Sequence, residues 1–346
     1  MLDSKNKLGD LKVLFLYVLL SYPLFYFAYK FGTPAFGGED FFSYYHLYKD
    51  WNFEKVDTPF NMRILSCFLV FLFNKAGFHY TTETVFAKFH PELDLQVYFN
   101  SVFVNYICIV LTCFVIYKLI RRVDGNEVFR FMAGLLYLLA FGTLFFSLKP
   151  LTEAPGVLLF AVIYYSYVEK SKWYFFFLLL ALFQREYIFI VFGMITLLDL
   201  FKTKEKFYLA GLIGCIGMFG IYLLLRNTVF HTPRYDYQLS FDTYLNSFFD
   251  TGLSFWSFFR QSILSLNLVL LYLAILAYKR LKGLELNKYH LLMVLVLLAQ
   301  VIVMSIMTHF GNNAGRYYFY ITPLIILFIA LEAKPLLEQK LRFGKQ

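Results

Sequence analysis

Long stretches without charge are the feature that most constrains this chain. Tyr208–Leu225 and Leu291–Met307 contain no Asp, Glu, Lys or Arg, and each could cross a bilayer as a helix. Only 16% of the residues are charged, whereas soluble domains have about 25%. The sequence therefore predicts an all-α, polytopic integral membrane bundle, and it excludes a soluble enzyme, a nucleic-acid-binding domain and a disordered chain. The other clear apolar segments are Val13–Tyr29, Val97–Ile120, Phe131–Leu148, Pro155–Val168, Ile263–Tyr278 and Tyr318–Leu331.

The basic residues predict how the chain sits in the membrane. Lys5, Lys7 and Lys12 precede the first apolar stretch, and no small-residue cleavage site follows it, so we expect an uncleaved anchor with a cytoplasmic N-terminus. Basic loops stay on the cytoplasmic side, so the net charge of +9 reports orientation and predicts no nucleic-acid partner. The basic segments are residues 118–130, 169–172, 202–206, 279–288 and the tail from Lys334.

Two ambiguous segments decide the number of crossings. All basic loops fall on one side if Ile64–Phe78 lies along or dips into the outer face without crossing, and if Trp173–Phe183 and Tyr187–Leu200 form a hairpin of two short helices. Gln184, Arg185 and Glu186 would then lie at the hairpin tip, reached from outside. Charged groups at membrane depth are tolerated where they line a protein cavity.

The predicted architecture is a single transmembrane domain over residues 1–346, with about eight full crossings and the hairpin. Interfacial helices are expected in outer loops 31–96 and 226–261, and residues 334–346 would form a cytoplasmic tail. All four cysteines lie inside apolar segments, so we expect neither disulfides nor a zinc site. The histidines show no metal-ligand spacing, and there is no phosphate-binding Gly-rich loop and no Gly-x-Ser-x-Gly elbow.

Polar residues collect on the predicted outer side. Carboxylates there can act as a general base, and Arg or Lys can bind phosphate oxygens. A base and a phosphate-binding cation together suit a reaction in which a chemical group is transferred to an acceptor and a phosphate departs. Several of these residues also have a plain structural explanation: the acids can cap helices, Arg185–Glu186 can be a buried ion pair, and Arg316 can anchor a helix at lipid headgroups. The residues are Glu39, Asp40, Tyr44, Arg63, Lys149, Glu153, Arg185, Glu186, Arg234, His309, Arg316 and Tyr317.

This arrangement resembles the C-type (GT-C) superfamily of polytopic glycosyltransferases, which use sugars carried on polyprenyl phosphates at the outer face of the membrane. The resemblance covers most of the chain as architecture. At the level of motifs it rests on Glu39-Asp40 followed by Tyr44, on Pro59-Phe60-Asn-Met-Arg63, and on Arg316-Tyr317 with Pro323 entering the last helix. The charged hairpin tip is also similar.

The resemblance implies a function and a set of roles. Asp40, or else Glu39, would be the base that activates an acceptor hydroxyl for inverting displacement of polyprenyl phosphate. Arg63, Lys149, Arg316 and Tyr317 would bind the phosphate of the donor. Tyr44, Glu153, Arg185, Glu186, Arg234 and His309 would position the substrates. The acceptor would be a glycan, lipid or protein in polysaccharide biosynthesis, and the location a bacterial inner membrane. Some members use a divalent metal such as Mg²⁺ or Mn²⁺, for which Asp40 and Glu153 could supply oxygen ligands, although no spacing demands one.

Three other classes of membrane protein are alternatives. A transporter or lipid flippase explains intramembrane charge but predicts internal repeats, and none is visible. A polysaccharide polymerase or ligase predicts a large outer loop rich in Arg and His, whereas residues 226–261 contain only a few. An intramembrane protease needs a catalytic constellation inside the helices, and none is evident.

Overall fold

The computed structural model describes residues 4–32, 39–78, 80, 82–92, 94–147, 149–231, 266–307 and 318–343. The described residues form helices, turns and connections, and no strand. The helices are α1 (Ser4–Phe31), α2 (Glu39–Asp50), α3 (Ile64–Lys75), α4 (Val85–Phe89), α5 (Leu95–Ile120), α6 (Glu127–Leu138), α7 (Glu153–Val168), α8 (Trp173–Leu180), α9 (Tyr187–Thr203), α10 (Lys206–Thr228), α11 (Asn267–Leu281), α12 (Lys288–Met307) and α13 (Thr322–Phe343). Short 3-10 turns occupy Phe60–Met62 and Ala181–Phe183, and a π-helical turn occupies Thr143–Ser147.

Three helical stretches in the described part are long and apolar enough to cross a membrane: Gly9–Phe31, Leu95–Ile120 and Lys206–Thr228. The prediction of about eight full crossings is therefore not confirmed. The other apolar helices found are shorter, between 10 and 17 residues: Ile64–Lys75, Glu153–Val168, Trp173–Phe183 and Lys288–Gln300. At 1.5 Å per residue, a helix of 12 residues such as α3 is about 18 Å long, less than the roughly 30 Å of a hydrocarbon core.

The apolar segment Phe131–Leu148, expected to be one helix, is interrupted. The chain leaves α6 after Leu138, turns, and resumes in the π-helical stretch that begins at Thr143. The Thr143 hydroxyl donates a 2.5 Å hydrogen bond to the carbonyl of Tyr137. Hydropathy could not reveal this break, because the residues on both sides of it are equally apolar.

The chain divides into two compact units. Unit 1 comprises Met1–Leu111 and Leu144–Tyr237, and unit 2 comprises Thr112–Thr143 and Gln238–Gln346. Unit 1 contains α1 to α4, most of α5 and α7 to α10. Unit 2 contains the last part of α5, together with α6 and α11 to α13.

Within unit 1, α8 and α9 run antiparallel. Lys170, just before α8, pairs with Glu205, just after α9, at 2.5 Å. At the same end, the hydroxyl of Tyr167 donates a 2.5 Å hydrogen bond to Asp199 near the end of α9. The connection Gln184–Glu186 consequently lies at the opposite end of this helix pair, and it places a glutamine and two charged residues between two apolar helices.

Candidate functional site

Two ion pairs meet at the connection between α8 and α9. The Arg185 guanidinium lies 2.8 Å from the Glu153 carboxylate, and the Glu186 carboxylate lies 2.8 Å from the Arg63 guanidinium. Arg185 and Glu186 are adjacent in the chain, yet each pairs with a partner from a different segment of unit 1. The alternative explanation, a buried ion pair between Arg185 and Glu186 alone, is therefore too simple: the four residues form an array, which we call the charge array (Arg63, Glu153, Arg185 and Glu186).

Arg63 enters the charge array from the junction between the 3-10 turn Phe60–Met62 and α3. Its Nη1 atom donates to the backbone carbonyl of Gln184 at 2.7 Å and to Glu186 at 2.8 Å. Arg63 is buried. The guanidinium therefore binds both the backbone and the charge of the hairpin tip, and it fixes the tip against the start of α3.

Gln184 ties the tip to two further segments. Its side chain is fully buried, and its Nε2 atom donates to the carbonyl of Thr152 at 2.9 Å. Its Oε1 atom accepts a 2.6 Å hydrogen bond from the hydroxyl of Ser66 on α3. A buried amide that satisfies both its donor and its acceptor specifies geometry strongly, because either group would be costly if left without a partner.

The segment before α7 connects the charge array to α2. The Thr152 hydroxyl donates to the Tyr44 hydroxyl at 3.4 Å, and it accepts a 3.1 Å hydrogen bond from Arg185. Asn105 on α5 holds the same segment, since its amide donates to the carbonyl of Leu151 at 3.0 Å. Tyr44 is buried within α2, and Asp40 lies one helical turn before it along the backbone.

The four charged side chains balance in sign but differ in access. The Glu153 side chain is fully buried and that of Arg63 is 4% exposed, whereas those of Arg185 and Glu186 are 16% and 30% exposed. Burial alone would raise the pKa of the Glu186 carboxyl, but the Arg63 guanidinium outweighs it and lowers the pKa to about 2. Glu186 is therefore ionised at neutral pH, and it and Arg185 are the members of the array that a substrate can reach.

The structure brings Tyr44, Arg63, Glu153, Arg185 and Glu186 into one connected network. Lys149 lies nearby in sequence, four residues before Glu153, and its ammonium sits 4.1 Å from the centre of the Phe145 ring. Glu39 and Asp40 begin α2, as expected for acids at a helix N-terminus, but their side chains lie outside the described part of the structure. The predicted residues Arg234, His309, Arg316 and Tyr317 lie outside the described residues altogether.

A metal at this site would need carboxylates that are available as ligands. Glu153 does not fit that role, because its carboxylate already binds the Arg185 guanidinium at 2.8 Å in a fully buried position. Among the residues searched, which are the described ones, no group of three or more His, Cys, Asp or Glu is arranged to hold a metal ion.

Sequence reasoning missed several members of the network. Ser66 and Asn105 lie inside apolar helices, and Thr152 precedes α7. The available signal was a polar side chain within an otherwise apolar helix. That signal identifies a buried polar group, but it does not identify the partner.

No protein-family model matches the chain, and the searches of curated proteins and of solved structures found no match either.

Proposed function

We propose that this chain is an integral membrane glycosyltransferase that moves a sugar from a polyprenyl-phosphate donor to a glycan, lipid or protein acceptor. The observation that carries the proposal is the charge array, built inside an apolar, all-helical chain next to a helix that begins with Glu39-Asp40. Buried ion pairs contribute little net stability compared with apolar side chains of similar size. Ionisable groups within apolar membrane segments generally mark sites of function.

The proposed reaction is a single inverting displacement. Asp40, with Glu39 as the alternative, accepts the proton of an acceptor hydroxyl while that oxygen attacks the anomeric carbon of the sugar. The new bond joins the acceptor oxygen to the anomeric carbon, and the bond that breaks joins that carbon to the phosphate oxygen. Polyprenyl phosphate leaves with the electron pair. A carboxylate base of this kind accelerates proton transfer by about 10²- to 10⁴-fold.

The exposure of the side chains suggests how the other roles divide. Arg185 is the more accessible guanidinium of the array, and we assign it, with Lys149, to the phosphate of the donor. For Arg316 and Tyr317, which lie outside the described residues, the same role stays a prediction from the sequence. Arg63 and Glu153 are almost fully buried, which supports a positioning role for both: they hold Glu186 and Arg185 through their ion pairs. Arg234 and His309 remain proposed substrate contacts.

The proposed function also requires a defined orientation of the chain in the membrane. We place both termini in the cytoplasm of a bacterium and the site at the outer face of the inner membrane, with about eight crossings. The stretch Trp173–Phe183 has 11 residues, which gives a helix of about 16 Å, roughly half the thickness of the hydrocarbon core. This length supports a hairpin whose tip ends inside the membrane, where a lipid-linked phosphate could reach it.

The test uses full-length protein in lipid nanodiscs with a panel of undecaprenyl-phosphate-linked sugars and lipid-linked glycan acceptors. Wild-type protein is expected to release undecaprenyl phosphate and to label an acceptor. Asp40→Asn, or the double variant with Glu39→Gln, should lower the rate by about 10²-fold or more. Glu54→Gln, which changes an exposed carboxylate in the same outer segment, should leave the rate within about twofold.

Full activity of the double variant would refute the assignment of the base. A transporter or flippase makes a different prediction, namely that reconstituted vesicles move a labelled lipid-linked sugar across the bilayer while the sugar-phosphate bond stays intact. That result, obtained without any transfer product, would replace the proposed function.

A further inference from the structure

One end of unit 2 gathers basic residues from several helices. The α5–α6 turn reaches this end because the Lys334 ammonium of α13 donates to the carbonyl of Val123 at 2.7 Å. The α11–α12 connection reaches it because Lys279, near the end of α11, forms an ion pair with Glu332 of α13. We call this region the basic end of unit 2 (residues 118–130, 279–290 and 332–334).

Some cations of the basic end are buried and interact with other side chains of unit 2. The side chains of Lys279 and Glu332 are only 7% and 2% exposed and neutralise each other. Arg130 is buried, with its guanidinium 3.9 Å from the centre of the Tyr117 ring. These groups hold the helix ends together, so they are not the ones that an external partner would meet.

Other cations of the basic end face outward. Arg121, Arg280, Lys282 and Lys288 are exposed, and none of them forms an ion pair with another residue of the described structure. They come from both connections.

Large apolar side chains lie among these exposed cations. Leu281, between Arg280 and Lys282, is 86% exposed, and Val128, close to the α5–α6 turn, is 69% exposed. Tyr278, one turn before Lys282, is 50% exposed. A nucleic acid or an acidic polypeptide would match the charges and leave this apolar surface in water. An anionic phospholipid matches both, with its phosphate on the cations and its acyl chains on the apolar side chains.

We infer that the basic end of unit 2 is a binding surface for the headgroups of anionic phospholipids in the adjacent leaflet. Arg280, Lys282 and Lys288 make the main phosphate contacts, and Arg121 contributes from the α5–α6 turn. The inference does not depend on the transferase activity proposed above, since it uses residues of unit 2 alone.

The experiment measures lipid preference directly. Tagged full-length protein is immobilised in neutral detergent and equilibrated with mixed micelles of radiolabelled phosphatidylglycerol and phosphatidylcholine that share the same acyl chains. We expect phosphatidylglycerol to be retained about tenfold over phosphatidylcholine, and the triple variant Arg280→Gln/Lys282→Gln/Lys288→Gln to lower that preference at least fivefold. The matched control removes three exposed cations from unit 1: Lys55→Gln, Lys75→Gln and Lys88→Gln; it should keep the wild-type preference.

Two further measurements keep the inference open to refutation if the triple variant folds poorly. On the wild-type protein, raising NaCl from 0.05 to 0.5 M should abolish most of the preference, because exposed charges are screened. Glycerol phosphate and soluble polyglutamate, added at equal charge, should not displace phosphatidylglycerol. Equal retention of the two lipids, an equal loss of preference in the control variant, or displacement by polyglutamate would each overturn the inference.

Discussion

Removing the charge of Glu153 should destabilise the protein far more than removing an exposed carboxylate. The Glu153 side chain is fully buried and binds the Arg185 guanidinium at 2.8 Å. The substitution Glu153→Gln keeps the size and one hydrogen-bond acceptor but leaves Arg185 without its counter-charge. Breaking a buried ion pair from one side costs about 3–5 kcal/mol. Because Arg185 keeps 16% exposure and the new amide can still accept a hydrogen bond, we expect a loss of about 2–3 kcal/mol.

The loss can be measured as a shift in the unfolding temperature. With an unfolding entropy of about 2.1 cal/mol/K per residue, a chain of 346 residues loses roughly 1.4 °C per kcal/mol, so the expected shift is about 3–4 °C. A thiol-reactive fluorescent dye suits this assay, since the free cysteines of the described structure are all buried and react only on unfolding. They are Cys67, Cys108, Cys113 and Cys215.

A double-mutant cycle separates the ion pair from other effects of the substitution. If the pair carries the cost, Arg185→Gln should destabilise little further in the Glu153→Gln background, which gives a coupling energy above about 1.5 kcal/mol. Glu54→Gln is the control at an exposed position, with an expected shift below about 1 °C. A Glu153→Gln protein that unfolds within 1 °C of wild type, or a coupling energy near zero, would refute the reasoning.

Two further predictions test other parts of the structure by the same assay. Gly142→Ala should lower the free energy of unfolding by about 1–3 kcal/mol, because the added Cβ would lie 2.2 Å from a ring atom of Phe319. In the control Gly217→Ala the added Cβ meets no atom within 4 Å, so this substitution should be neutral or stabilising. Equal shifts in unfolding temperature for the two variants would contradict this account. The Glu186 pKa, lowered to about 2 in the fold, makes its stabilisation fully present above the unfolded pKa of about 4.3 and progressively lost as pH falls toward 2. The unfolding temperatures of wild type and Glu186→Gln should therefore approach each other as the pH falls from about 5 toward 2, and a constant difference would show that Glu186 is not held ionised.

Local sequence patterns predicted much of the helical content. The apolar stretch Val97–Ile120 lies inside α5 (Leu95–Ile120), and Tyr208–Leu225 lies inside α10 (Lys206–Thr228). Basic loops and the charged interruption at Gln184–Glu186 predicted a break between two short helices, and one is present. The expectation failed where apolar character continues through a change of direction, as after Leu138. Hydropathy measures whether a side chain prefers an apolar or an aqueous environment. It does not indicate where the backbone turns.

The residues of the site were easier to identify than their partners. Glu153, Arg185 and Glu186 stand out in the sequence because charge is rare in an apolar chain, and Arg63 stands out through the resemblance of its Pro59-Phe60-Asn-Met-Arg63 stretch. Their pairing was not foreseen, and the buried amide of Gln184, which joins Ser66 to Thr152, was recognised only as part of a polar tip. The reason is distance along the chain, since Arg63 meets Glu186 across 123 residues.

The sequence by itself determined the class of this protein: uncharged apolar stretches make helices whose backbone groups are satisfied within the segment, and basic loops limit how those helices can be arranged. Only the tertiary structure decided which charges neutralise one another and which remain exposed. Ion pairs and hydrogen bonds act over about 3 Å, and the packing of segments that are remote in sequence brings their atoms to that separation. For this reason Arg185 and Glu186, neighbours in the chain, turn to different partners, and the same packing in unit 2 buries Lys279 while leaving Arg280 exposed.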